Sequence, residues 1–81
     1  MTEPKHVRSI TRAIDILDVI KHSKGGAGIT TISKETGLSK STVFRLLSTL
    51  TSRGYTRKDE TTDLYAFGFK LIDLSFSAYS Q

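Results

Sequence analysis

The sequence predicts a mainly α-helical domain carrying one small β-hairpin, in the order helix, helix, helix, hairpin, helix. Three observations predict it. Apolar residues recur at helical spacing before Gly54. Short β-prone runs flank a polar turn just after it, and helical spacing returns beyond Gly68. At 81 residues the chain makes one domain, near the small end of what folds alone.

Residues 1–8 are polar, contain the only proline and read as a flexible N-terminal arm. Residues 9–67 form the domain proper, and 68–81 begin a helix leading away from it. In the first helix Ile10, Ala13, Ile14, Leu17 and Ile20 make one apolar stripe, with Ser9 as the expected N-cap. Ser23 to Gly28 holds three glycines in six residues and reads as a loop. Thr30 is the expected N-cap of a second, shorter helix whose clearest core residue is Ile32. Gly37 ends that helix, because glycine tolerates the left-handed conformation needed there. Ser39 caps a third helix that runs to Arg53. Two short helices separated by about three residues, one a glycine, have helix-turn-helix spacing. Tyr55–Lys58 and Leu64–Phe67 then flank Asp59–Asp63 as a hairpin. A helix-turn-helix followed at once by a hairpin is the winged form: a three-helix core, a two-stranded wing and a C-terminal linker helix.

Charge narrows the function classes. The net charge is +4 and the pI about 9.6. Residues 1–58 hold 11 of the 12 Lys/Arg against four acids, whereas residues 59–81 hold only Lys70 against Asp59, Glu60, Asp63 and Asp73. This asymmetry suits a polyanionic partner on one face, although a solvated surface alone could carry it. No apolar run is long enough to span a membrane, and no signal-peptide pattern opens the chain. The absence of cysteine excludes disulfides and thiolate metal sites. These features lead to the expectation of a cytoplasmic protein without cofactor or metal. Nor does the sequence offer catalysis. The two histidines, His6 and His22, stand apart, and Gly25-Gly26-Ala27-Gly28 lacks the Lys-Ser/Thr of a phosphate loop. His22 reads as a favourable contact with the first helix's C-terminal dipole.

The third helix carries the functional signal. Val43, Leu46, Leu47 and Leu50 fall on one side as the buried stripe. The opposite side carries Ser41, Arg45, Ser48 and Ser52, flanked by Phe44, Thr42 and Thr49, and there is no acid between Ser39 and Arg53. Small hydroxyls let a helix sit deep in the DNA major groove, while carboxylates would repel phosphates. Arg45 has the reach and the planar fork for a guanine O6/N7 pair. Ser39, Lys40, Ser41 and Thr42 lie where free N–H groups and the helix dipole favour phosphate, with simple capping as the alternative for Ser39. Phe44 either covers the domain's own surface or meets a thymine methyl. Thr30 and Thr31 face the flanking backbone. Arg57 and Lys58 sit near the wing tip as phosphate contacts or as solvated surface. The expected partner is therefore double-stranded DNA. A winged-helix protein–protein module shares the fold, but an acid-free basic helix favours DNA. RNA binding would call for exposed stacking aromatics on a sheet, which are missing.

The run Ile29-Thr30-Thr31-Ile32-Ser33-Lys34-Glu35-Thr36-Gly37-Leu38-Ser39-Lys40-Ser41-Thr42-Val43-Phe44-Arg45-Leu46-Leu47 resembles the N-terminal domain of the isocitrate-lyase-regulator (IclR) family of bacterial transcription factors. Val7-Arg8-Ser9-Ile10, Arg12 to Leu17, Arg53-Gly54-Tyr55, Tyr65-Ala66-Phe67-Gly68 and Lys70-Leu71 extend the likeness over about residues 7–74. The resemblance implies a dimeric repressor or activator on a short palindromic operator. It also implies a C-terminal domain for a small-molecule effector, which this chain lacks. Ser33 stands where the family usually has alanine, Ser39 where proline is common, and Thr56 where an aliphatic residue is usual, which points to looser wing packing. Phe44 and Phe69 also differ from the family's common residues.

The first and last helices hold surplus apolar surface. Ile16 and Val19 fall off the main stripe of the first helix. The last carries Phe69, Ile72, Phe76 and Tyr79 on one line and Leu71, Leu74 and Ala78 on another. Ile16, Val19, Leu71, Leu74 and Ala78 are accordingly the expected homodimer interface, with scattered exposed apolar residues as the alternative.

Overall fold

A computed structural model describes residues 4–81. It contains α1 (Arg8–Lys21), α2 (Ile29–Thr36), α3 (Lys40–Ser52), β1 (Thr56–Lys58), β2 (Tyr65–Phe67) and α4 (Phe69–Ser80), in the order expected. Part of the expected arm, residues 1–3, lies outside the described residues. Arg8 belongs to α1, so the arm boundary moves back to Val7.

Two N-caps differ from expectation. The Val7 carbonyl accepts from the N–H groups of Ile10 and Thr11, both at 3.1 Å, which starts α1 two residues early. Ser9 then lies inside the first turn, where its hydroxyl cannot cap. At α2 the cap is extended Gly28, not Thr30. The cause is a tertiary contact: Ala27 and Tyr65 exchange backbone hydrogen bonds of 2.9 and 2.8 Å, forming a one-residue bridge to the wing. The chain leaves that bridge extended and enters the helix directly. The other caps follow the sequence. Gly37 is left-handed at φ 76°, and the Ser39 hydroxyl accepts the N–H of Thr42 at 3.2 Å.

The core consists of Ile16, Ile20, Ala27, Ile32, Val43, Leu47 and Tyr65, with Val19, Ile29, Leu38, Leu46 and Leu50 packed around it. Ile20 is buried as expected, but the rest of the expected division of α1 changes. Ile16, assigned to a dimer interface, is 0% exposed at the centre of the core, and Val19 is half-buried against it. Ile10 and Ile14, assigned to the core, are 59% and 52% exposed. Helical periodicity separates two apolar faces but cannot say which one the rest of the domain covers. The interior is small, and only the C-terminal half of α1 reaches it. The N-terminal part of the longer stripe, Ile10 to Leu17, is left lining a groove with α3 and α4.

Strands β1 and β2 pair antiparallel, Thr56 opposite Phe67, Arg57 opposite Ala66 and Lys58 opposite Tyr65. Their connection is organised by Asp59, whose carboxylate accepts the N–H groups of Thr61 and Thr62 at 2.8 and 3.2 Å. Those two donors hold the Asp59 carboxyl below its ordinary pKa. Thr56 is the buried polar residue of the domain, 2% exposed, and its hydroxyl shares a 2.8 Å hydrogen bond with that of Thr51. The looser packing expected there is replaced by a buried hydroxyl pair. Helix α4 starts from a tight junction: Gly68 N–H donates to the Tyr55 carbonyl and Lys70 N–H to the Gly54 carbonyl, both at 2.9 Å. Beyond that junction α4 buries no residue.

Candidate nucleic-acid interface

The turn between α2 and α3 fixes the angle at which α3 is presented. Gly37 reverses the chain, Ser33 Oγ donates to the Leu38 carbonyl across the turn, and Leu38 packs on the core. The Ser33 side chain thus adds a bond across the turn. On the far side Val43 and Leu47 are fully buried, and Leu46 and Leu50 are half-buried, as the stripe predicted. This anchoring turns Ser41, Phe44, Arg45, Ser48, Thr49 and Ser52 outward, all exposed, with Phe44 at 54%. Phe44 therefore leaves much of its ring uncovered by its own domain.

The hydroxyls are not equivalent. Ser39 Oγ donates to Thr42 Oγ1 at 2.9 Å and lies 3.2 Å from Ser41 Oγ, so three hydroxyls form a chain at the helix start. Thr49 Oγ1 donates to the Arg45 carbonyl at 3.3 Å and Ser52 Oγ to the Thr49 carbonyl at 2.8 Å. The Thr49 and Ser52 hydroxyls thus have their donors engaged and acceptor lone pairs free, whereas Thr42 Oγ1 accepts and keeps its own donor. Lys40 and Arg45 are exposed, and the Lys58–Asp63 pair is the only salt bridge among the described residues. The Arg45 guanidinium thus forms no ion pair with a carboxylate among the described residues.

Seven of the sequence-expected residues line three separate hollows around the domain, while Ser39, Lys40, Ser41, Phe44 and Ser48 line none of them. Arg45, Thr42 and Thr49 line a shallow hollow of about 210 Å³ together with Ser9, Arg12 and Leu46. Thr30 and Thr31 line a second hollow with Lys58, Thr62 and Asp63, so α2 and the wing meet on one surface. Arg57 is apart from both. Alternate side chains of a strand point to opposite faces, and Arg57 lies with Lys21, Gly25 and Asp59 beside the α1–α2 loop. Lys58 pairs with Asp63 at 3.4 Å, which raises the pKa of its ammonium. Both groups are solvent-exposed, and such a pair is weak enough to be exchanged for a phosphate. Arg12 and Ser9 are the members that sequence reasoning missed. They belong to α1, outside the helix-turn-helix, and only packing brings them to the α3 face. The His22 ring behaves as expected, Nδ1 donating to the Asp18 carbonyl at 2.8 Å in the last turn of α1.

A helix-turn-helix with a wing, and an exposed helix face free of carboxylates, defines a DNA-binding domain of the transcription-regulating class. Residues 9–60 match the IclR helix-turn-helix domain, and the chain belongs to that family. It is 40% identical over 67 residues to the transcriptional regulator XynR of Escherichia coli strain K12, covering 83% of this chain and 27% of XynR. Among solved structures it is similar to an IclR transcriptional regulator from Alicyclobacillus acidocaldarius, with a TM-score of 0.86 and 28% identity over 91% of this chain and 30% of that one. An IclR-family regulator from Brucella abortus gives a TM-score of 0.84 at 29% identity, covering 100% of this chain and 32% of that one. The chain therefore spans about a quarter to a third of these relatives. They are regulators rather than enzymes, which agrees with the non-enzymatic reading of the sequence. No helix among the described residues is long and apolar enough to cross a membrane.

Proposed function

We propose that this domain binds a specific double-stranded DNA operator by inserting α3 into the major groove. The observation that carries the reading is the outer face of α3: exposed, free of acids and centred on an Arg45 that pairs with no carboxylate among the described residues. Arg45 reads a guanine, Phe44 offers its ring to a thymine methyl, and Ser41 and Ser48 bond to bases or phosphates alongside. Ser39, Lys40 and Thr42 hold a phosphate at the helix start, while Thr30, Thr31 and Lys58 hold the backbone across the groove. Arg57 meets DNA only if the duplex wraps past the wing edge.

The domain acts as a homodimer on a palindromic site, joined through the exposed stripe of α1 and the apolar faces of α4. Helix α4 continues towards an effector-binding domain, and the whole regulator works in the bacterial cytoplasm. Support for dimerisation comes from the apolar groove of about 540 Å³ lined by Ile10, Ile14, Leu17, Leu50 and Leu71, an unusual surface for a domain of this size.

The test is selection of bound sequences from a random duplex pool, followed by titration at two salt concentrations. Affinity should fall steeply with salt as phosphate contacts release counterions, and salt-independent binding would remove the reading. Arg45→Ala should cost about 1–3 kcal/mol on the selected site and relax its discrimination at one base pair. An equal loss on every sequence would make Arg45 a phosphate contact instead.

A further inference from the structure

The hollow beside Arg45 contains a second cation from a different element. Arg12, on α1, lines it together with Ser9, Thr42, Arg45 and Thr49, so two guanidinium groups and three hydroxyl-bearing side chains surround one small concavity. No carboxylate of the described residues lines it. Asp15 and Asp18, the acids of α1, form no salt bridge with Arg12, and α3 has no acid to offer. Two like charges sharing a hollow repel each other, and no salt bridge among the described residues offsets that repulsion. An anion placed between them would relieve it and gain forked, charge-assisted hydrogen bonds.

We infer that Arg12 is a DNA-positioning residue, holding a backbone phosphate at the edge of the groove that α3 enters, with Ser9 and Thr42 adding hydroxyl contacts. The inference rests on the proposed insertion of α3 but assigns a different role to a different helix. Arg45 projects from the centre of the exposed face of α3. Arg12 sits half-buried at its flank, fixed on the helix that α3 packs against, where the sugar-phosphate strand would pass. A contact anchored on α1 would set how deep and at what angle α3 lies, and it would carry no sequence information. The competing role is purely structural, with the aliphatic stem of Arg12 covering Leu46.

The test compares the wild-type chain with Arg12→Gln and Arg12→Met, which keep most of the stem, on the selected duplex and on a scrambled duplex of equal length. For both variants, affinity should fall roughly five- to tenfold on both duplexes, and the slope of log affinity against log salt should flatten by about one. Arg12→Lys should restore most of both, since a phosphate accepts a point charge. Thermal melting should stay at the wild-type value for Gln and Met. Unchanged affinity and slope in Arg12→Gln would overturn the contact, as would weaker binding that tracks a lowered melting temperature with the slope unchanged. A loss confined to the selected duplex would overturn it too, by making Arg12 a base reader. A wild-type chain that binds neither duplex would instead sink the DNA-insertion reading itself.

Discussion

Thr56 and Thr51 show how a polar residue can occupy a core position without penalty. Each hydroxyl supplies the other's partner at 2.8 Å, so Thr56 is buried at 2% exposure with its hydrogen bonding satisfied. The pair should be tested as a cycle. Thr51→Val alone leaves the Thr56 hydroxyl buried without a partner and should cost about 1–3 kcal/mol in urea unfolding. Adding Thr56→Val should recover most of that loss, because two apolar groups of the same shape restore a matched contact. A neutral single variant would mean that the pair does not hold the wing to α3. At the functional face the same logic runs the other way. Arg45 has no salt-bridge partner among the described residues, so its charge is available to a ligand, whereas Lys58 must first give up Asp63.

The decisive element is α4, or rather its junction with the rest of the fold. Gly68 lies so close to Gly54 that a Cβ built on it would stand 2.3 Å from the Gly54 carbonyl oxygen and 2.9 Å from its carbon. Those atoms are backbone and cannot rotate aside. Gly68→Ala should therefore pry α4 from the end of α3, costing about 1–3 kcal/mol in stability. Hydrogen exchange supplies the local readout: the Lys70 amide, bonded to the Gly54 carbonyl at 2.9 Å, should lose protection before the amides of α2 do. Uniform loss of protection across the domain would show that the junction is not a separable unit. Where α4 leaves this junction decides where its apolar faces point, and hence where a partner would dock.

For the whole molecule the question is what covers the apolar surface. Phe69, Ile72, Phe76 and Tyr79 of α4 are 52–89% exposed, and Ile10 and Ile14 of α1 are more than half exposed. If two copies cover these surfaces, Ile14→Glu should weaken self-association by roughly tenfold or more in sedimentation while leaving the melting temperature near the wild-type value. It should also weaken binding to a palindromic duplex more than to a half-site. A wild-type chain that stays strictly monomeric at high micromolar concentration would count against the pairing. The molecule extends over 49 × 35 × 22 Å, and α4 buries none of its residues against the three-helix body.

The sequence alone determined the order of elements and the composition of the α3 face. Both follow from local rules: period, capping hydroxyls, left-handed glycine and the exclusion of acids from one helix. Those rules also placed Gly37 and Ser39 in their structural roles and located the hairpin turn at Asp59–Asp63. Tertiary structure alone decided which face of α1 is interior, since two apolar stripes on one helix are equivalent until neighbours choose between them. It moved Ile16 from interface to core and Ile10 and Ile14 from core to surface. It tied Ala27 to Tyr65, shifting the start of α2, because a single bridge between distant residues leaves no periodic trace. It also set Arg12 beside Arg45, a proximity across 33 residues of chain that depends on how two helices cross.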